Sequence, residues 1–281
     1  MTETGHAAVA GGRLHYEVDG VGTGRVDRSA LVLLHAGIAN LRMWDPQVPA
    51  LAERYRVVRY DTRGFGRTET EDVEFTDRGD AVAVLDHVGA DSAYVVGQSR
   101  AGVIGLDLAI ESSERVDALV SVAGGISGFE AERTDPPPWD EMEQLWNEKE
   151  WERLAELETR VWVDGWGQPS TRVDPDLRRT VHDWILTTYK QEKVEGKPQR
   201  LDPPAIERLD QVDVPTLVMV GAVDAPAEVE AGRHLATSVA DARLVEFPGV
   251  AHMIHLEEPE RFNGVVLEFL DEVDRRRRAP G

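Results

Sequence analysis

Three side chains in this sequence could together attack a carbonyl carbon: Ser99 in "VVGQSRAG", Asp224 in "VMVGAVDAP" and His252 in "FPGVAHMIHLEEPERF". A serine hydroxyl is a weak nucleophile at neutral pH. It needs a base to take its proton, a group that orients the base, and N–H donors for the oxyanion that develops. The pattern G-x-S-x-G presents a serine on a sharp strand-to-helix turn. Here it reads "GQSRA", with Gly97 and Ala101 as the small flanks. Five residues alone leave a second reading open, in which Ser99 is only the N-cap of the helix that follows. The chain has no cysteine, so it has no thiolate nucleophile, disulfide or Cys-ligated metal.

The surrounding pattern supplies the elements that such a serine needs. "RLHYEVD" alternates like a half-buried strand, and "ALVLLHAG", "YRVVRYD", "SAYVVG", "RVDALVSVAG", "PTLVMVGAVD" and "ARLVEFPG" are short apolar runs of the kind found in buried parallel strands. Helical patterns lie between them: "MWDPQVPALAERY", "RGDAVAVLDHVGA", "AGVIGLDLAIESS", "AEVEAGRHLATSV" and the closing "EPERFNGVVLEFLDEV". This alternation predicts an α/β fold with a mostly parallel, twisted sheet of about eight strands and helices on both faces. The pattern breaks between residues 125 and 204, where acidic, tryptophan-rich helical spacing predicts an inserted helical cap. Residues 1–124 and 205–281 would then form one core domain.

These motifs, with "LVLLHAGIANLRMWDPQ" and "VVRYDTRGFGRTE", resemble the α/β-hydrolase superfamily, in its capped branch of esterases, enol-lactonases, cofactor-free haloperoxidases and meta-cleavage product hydrolases. The resemblance runs from about Gly12 to Val273, and its order Ser, Asp, His is that of the superfamily. It implies Ser99 as nucleophile, His252 as base and then acid, and Asp224 as the group that fixes the histidine tautomer. It also implies backbone N–H groups of Arg100 and of Gly37 or Ile38 as the oxyanion hole. Two departures bear on that hole. His35-Ala36 stands where the family has His-Gly, and Arg100 stands where methionine, glutamine or an aromatic is usual. The Arg100 side chain is expected to pair with a nearby carboxylate, the alternative being recognition of an acidic substrate.

Other residues read as structural. His255 could compete with His252 as base or join it as an i, i+3 metal pair, but "GVA" precedes His252 as in the family loop, and no third ligand has suitable spacing. No metal and no cofactor are expected. His35 is expected to hydrogen-bond beneath the oxyanion hole, and "YDTRGFG" to be a loop fixed by Asp–Arg pairing between Asp61 and Arg63. "DGVGTG" fits neither a dinucleotide nor a P-loop signature. Six of the seven tryptophans fall in the inserted region. Trp139, Trp146 and Trp162, together with Trp44 after the oxyanion loop, are candidate pocket walls.

The net charge of −21, from 52 acidic and 31 basic residues, opposes binding to nucleic acid or anionic membranes. The arginine run Arg275 to Arg278 reads as a solvated helix end. With no secretory leader pattern and no long apolar run, a cytoplasmic protein is expected, with a homodimer left open. The leading function is a serine hydrolase acting on a small carboxylic ester or lactone through an acyl-enzyme. The alternatives are carbon–carbon bond hydrolysis or haloperoxidase/perhydrolase chemistry on the same triad, and, in another class, a non-catalytic ligand receptor on the same fold.

Overall fold

The computed structural model describes residues 2–20, 29–132 and 138–278. Eight strands form the main sheet: β1 (Glu3–Val9), β2 (Gly12–Asp19), β3 (Ala30–Leu34), β4 (Arg56–Tyr60), β5 (Ala93–Gln98), β6 (Val116–Val122), β7 (Thr216–Gly221) and β8 (Ala242–Phe247). Their order across the sheet is β1-β2-β4-β3-β5-β6-β7-β8, and a two-residue strand at Glu69–Thr70 adds to β2. Strands β3 to β8 pair in parallel, while β2 is antiparallel to both neighbours.

Side-chain alternation along these strands builds two apolar layers. Val32 and Leu34 of β3 point into one layer with Val58, Val95 and Val218. Leu31 and Leu33 point into the other with Val57, Val96 and Met219. Helices α1 (Asp77–His87), α2 (Arg100–Glu111) and, from later in the chain, Pro226–Ser238 cover the first layer through Val84, Ile104 and Leu235. The last helix, Pro259–Arg278, covers the second through Phe262, Val266 and Leu270. The continuous apolar strands thus arise because both sheet faces are dry.

The insertion joins β6 to β7. It contains α3 (Trp139–Asn147), α4 (Trp151–Thr159), a one-turn π-helix (Arg160–Asp164) and α5 (Pro175–Lys190). The two later sheet-covering helices are therefore α6 (Pro226–Ser238) and α7 (Pro259–Arg278). Inside the insertion, Met142, Leu145, Leu154 and Val161 form a small core that includes Ala225 from the loop after β7. Ala155, Val163, Val181 and Ile185 belong instead to the same apolar layer as Val96 and Met219. Lys197–Pro198 returns the chain by pairing with Glu74–Phe75.

Some expectations change. Strand β1 had no strand signal in the sequence; it pairs with β2 over its whole length, from Glu3↔Val18 to Val9↔Gly12. "MWDPQVPALAERY" forms two short turns, Leu41–Trp44 and Val48–Leu51, in place of one helix. Within "DGVGTG" and "TDPPPW", residues 21–24 and 134–137 lie outside the described residues. Arg276 and Arg277, near the end of α7, pair with Asp241 and Asp117. Among the described residues, no helix is long and apolar enough to cross a membrane.

Because β3, β5, β7 and β8 run in parallel, the loops after them leave from one edge of the sheet, the edge at which such folds bind ligands. The turn after β5 is especially tight. A Cβ on Gly97 would lie 2.1 Å from the Ala101 carbonyl oxygen, a backbone atom that cannot swing away. Gly97→Ala should therefore destabilise the protein by about 3 kcal/mol or more, read as a lower urea midpoint with an unchanged slope.

Candidate active site

Ser99 sits between β5 and α2 with φ 58° and ψ −122°, a conformation that a residue with a side chain rarely adopts. Such strain costs on the order of 1–3 kcal/mol and persists only where surrounding contacts over-determine it. Here the Ser99 N–H donates to the Val122 carbonyl at 2.9 Å, and its carbonyl accepts from Gly102 N–H at 2.8 Å. The hydroxyl makes no capping hydrogen bond to the helix. The N-cap reading of Ser99 is thereby set aside: the side chain is free of the job that would have explained it.

Asp224 and His252 are both buried, and His252 Nδ1 lies 2.7 Å from Asp224 Oδ2. The second carboxylate oxygen accepts from Ala225 N–H at 2.7 Å, which fixes the plane of the acid. A carboxylate accepts, so Nδ1 carries the proton and Nε2 is the basic nitrogen. Burial by itself would lower the His252 pKa. The Asp224 charge and hydrogen bond, with Glu228 behind, outweigh it and raise the pKa above the usual imidazole value. The histidine loop closes tightly on β7, since a Cβ on Gly221 would lie 2.1 Å from the Ala251 carbonyl oxygen. Gln98, next to Ser99, donates from Nε2 to the His252 carbonyl at 2.8 Å and ties the two loops together. Among the described residues, the Ser99 hydroxyl makes no hydrogen bond to the imidazole. In active sites of this kind that contact is often long until substrate is bound.

Arg100 is the first residue of α2, so its N–H has no intrahelical partner. Gly37 lies against it, with a hypothetical Cβ 3.4 Å from Arg100 Cδ. Among the described residues, Gly37 and Ile38 donate no backbone hydrogen bond. The arrangement leaves N–H groups from two loops free beside the serine. Below them, buried His35 donates from Nδ1 to Ala36 O at 2.8 Å and accepts at Nε2 from Thr62 N–H at 3.0 Å. Burial holds its pKa below the usual value, so the ring is neutral. The Arg100 guanidinium bonds Thr62 Oγ1 at 3.1 Å and Asp77 at 2.9 Å, the carboxylate pairing expected of it.

The loop after β4 is held differently from expectation. Arg63 pairs with Asp80 through two bonds of 2.7 and 2.9 Å, not with Asp61. Asp61 accepts from the N–H groups of Leu41 and Arg67 at 2.9 and 2.7 Å, which anchors the oxyanion loop to its neighbour. The longer reach of Arg63 lets it bridge to α1, which local sequence spacing does not reveal.

The four tryptophan candidates separate. Trp162, on the π-helix, tilts over the His252 ring at 4.6 Å between centroids. Trp139 stacks on Trp162 at 5.5 Å and so stands one ring away from the histidine. Trp146 is 45% exposed and lines a cavity of about 580 Å³. Trp44 does not face a pocket: it is fully buried against His255 and Phe262, as a core residue of the second apolar layer. His255 itself is buried there, and desolvation together with His252 depresses its pKa to about 3. That leaves it a weaker base than His252.

The cavity is bounded on one side by Gly37 and Arg100, and on the other by Trp146, Trp151, Tyr189 and Lys193. Gln98, Trp151 and Tyr189 were not singled out from the sequence. A glutamine on a strand end carries no signal of its own, and one tryptophan among six in a helical segment cannot be ranked. Glu228, in the first turn of α6, was also missed; its side chain has no hydrogen-bond partner among the described residues. Burial, and the nearby Asp224 charge, push its pKa up to about 7 despite the opposing pull of His252.

Comparison with known proteins agrees with this fold. A family model described as the alpha/beta hydrolase fold matches residues 29–259. The 3-oxoadipate enol-lactonase 2 of Acinetobacter baylyi is 28% identical, with 86% of this chain and 89% of that protein covered. The 2-hydroxy-6-oxononadienedioate/2-hydroxy-6-oxononatrienedioate hydrolase of Burkholderia vietnamiensis is 29% identical, over 92% of this chain and 91% of its own. The crystal structure of an enol-lactonase from Burkholderia xenovorans LB400 superposes with a TM-score of 0.73 at 26% identity, covering 95% of this chain and 100% of that one.

Glu228 gives a pH test of the site. Its folded-state pKa of about 7 lies above the ordinary 4.5, so its share of stability is present below 4.5 and is lost as pH rises through 7. Glu228→Gln should be more stable than the parent at pH 8.5 by roughly 1–2 kcal/mol, with most of the gain gone at pH 5, as read from urea unfolding.

Proposed function

The chain belongs to the α/β-hydrolase fold family and is a hydrolase, and on that footing we propose that it cleaves a small carboxylic ester or lactone by a Ser99–His252–Asp224 mechanism. The observation that carries this reading is the buried His252–Asp224 pair, 2.7 Å apart, tied through Gln98 to a serine in a strained turn with no structural task. Ser99 Oγ attacks the carbonyl carbon while His252 Nε2 takes its proton. Asp224 holds the resulting imidazolium without itself becoming protonated. The tetrahedral oxyanion accepts from Arg100 N–H and from Gly37 or Ile38 N–H. Collapse of this intermediate expels the alcohol, to which His252 returns the proton, and leaves an acyl group on Ser99. Water, deprotonated by the same nitrogen, then releases the acid. The sequence needs no cofactor at any step.

The cavity beside Gly37 and Arg100 supports a substrate with an apolar or aromatic portion, since Trp146, Trp151 and Tyr189 offer flat, weakly hydrated faces. The names of two of the relatives above, an enol-lactonase and a hydrolase of a 2-hydroxy-6-oxo dienedioate, support two substrate types on one machinery, an enol-lactone and a hydroxy-oxo dienedioate. The ester or lactone reading is preferred because it uses only the groups just described.

The test is hydrolysis of short p-nitrophenyl esters. The parent should show a burst of nitrophenol equal to the enzyme concentration wherever deacylation is slow, and Ser99→Ala should lower kcat/KM by about four orders of magnitude or more with its unfolding midpoint retained. Ester turnover by Ser99→Ala at the parental rate would sink the assignment. A diketone assay run beside it reports whether carbon–carbon cleavage is the faster reaction.

A further inference from the structure

Arg172, between the π-helix and α5, makes bonds to both halves of the molecule. Its guanidinium donates to the carbonyls of Val163 at 2.6 Å and Asp164 at 2.5 Å, both in the π-helix that carries Trp162. It also donates to the Gly249 carbonyl at 2.6 Å, in the loop that carries His252. It pairs with both carboxylate oxygens of Glu257, at 2.5 and 3.0 Å. Glu257 in turn accepts from the N–H of Ala251, the residue before His252, at 2.9 Å. Both side chains are largely withdrawn from solvent, 13% and 7% exposed. One planar fork thus spans the insertion and the histidine loop, a geometry that lysine could not reproduce.

We propose that Arg172 and Glu257 are a positioning pair for His252: together they hold Trp162 over the imidazole, fix the loop on which it rides, and cancel each other's charge behind it. The inference rests on the role given to His252 above. Neither residue touches the reacting atoms. The indole limits the swing of the imidazole and keeps water from its face. The loop bonds set the distance from Nε2 to the serine. The charge cancellation matters because Glu257 bonds the residue before His252, where an uncompensated charge would act on the imidazolium through poorly screening surroundings. The other charged or titratable groups facing His252 among the described residues are Asp224 and Glu228 from the β7–α6 segment and His255 from its own loop. Substituting Arg172 or Glu257 removes none of these groups, so the charge difference between the two variants comes from the pair itself.

The pair can be tested by opposite-sign perturbation. Arg172→Met leaves the Glu257 carboxylate alone near His252, favours the imidazolium and should move the acid limb of the kcat/KM profile up by about half a pH unit. Glu257→Gln leaves the Arg172 guanidinium alone and should move that limb down by about the same amount. In both variants kcat for the p-nitrophenyl ester should fall about tenfold with KM within about twofold, because the reacting nitrogen is displaced and binding is not. Opposed limb shifts with reduced kcat support the pair. Limbs that stay put, or move the same way, overturn it, as does a lowered melting temperature with parental kcat. If Arg172→Met does not fold, the direction of the Glu257→Gln limb decides alone. Ser99→Ala is run alongside: activity in that variant defeats the serine reading itself, whereas an inert Ser99→Ala with parental limbs in the other two defeats only the positioning pair.

Discussion

The turn at residues 97–102 is the constraint on which the site depends. A strand that ends and a helix that begins within two residues must bring backbone atoms closer than side chains allow. Gly97 meets the Ala101 carbonyl, and Gly102 meets Gly124, where a Cβ would lie 2.6 Å from the neighbouring Cα. Only with both positions bare can β5 pass directly into α2. The positive-φ Ser99 conformation follows from that closure, and with it a half-buried serine whose hydroxyl makes no capping bond and a free N–H at the head of the helix. The histidine loop obeys the same logic at Gly221, which admits the Ala251 carbonyl. Two glycines at the ends of two strands therefore set the separation between serine and histidine more firmly than any attraction between them.

The sequence revealed features that follow from local pattern. Buried parallel strands are mainly apolar, so β3, β4, β5, β6 and β7 stood out, and with their ends came the positions of Ser99 and Asp224. Strand β1 did not stand out, because its burial is uneven and its "ETGHAAV" holds neither a period nor a β-branched run. Long-range side-chain choices were also hidden. Arg63 could reach Asp61 or Asp80, and only the fold brings Asp80 near. Trp44 was read as a wall because it follows the oxyanion loop, but that loop turns inward at Leu41–Trp44 and buries it. The pairing of Arg100 with Asp77 was foreseeable in kind, from the abundance of carboxylates, although not in the identity of its partner.

Charge is arranged with similar economy. The molecule carries a large negative excess, yet around the site the arginines are engaged: Arg100 with Asp77, Arg172 with Glu257 and Arg178 with Asp164. Lys193 differs. Its ammonium rests on the carbonyls of Gly66 and Thr68, and desolvation lowers its pKa. It fastens the end of the insertion to the loop after β4 without a carboxylate. Ordinary surface pairs contribute little to stability; these more buried ones chiefly dictate which segments lie side by side.

The helices between β6 and β7 do not form a detachable module. Their apolar residues are divided between a small core of their own and the sheet's second layer, where Val163 and Ile185 pack in the same cluster as Val96 and Met219. A recombination experiment that exchanged this segment for that of a relative would therefore alter the sheet's own packing as well as the pocket above it. In this protein, the lining of the cavity and the stability of the scaffold are inherited together, and selection on one must be felt by the other.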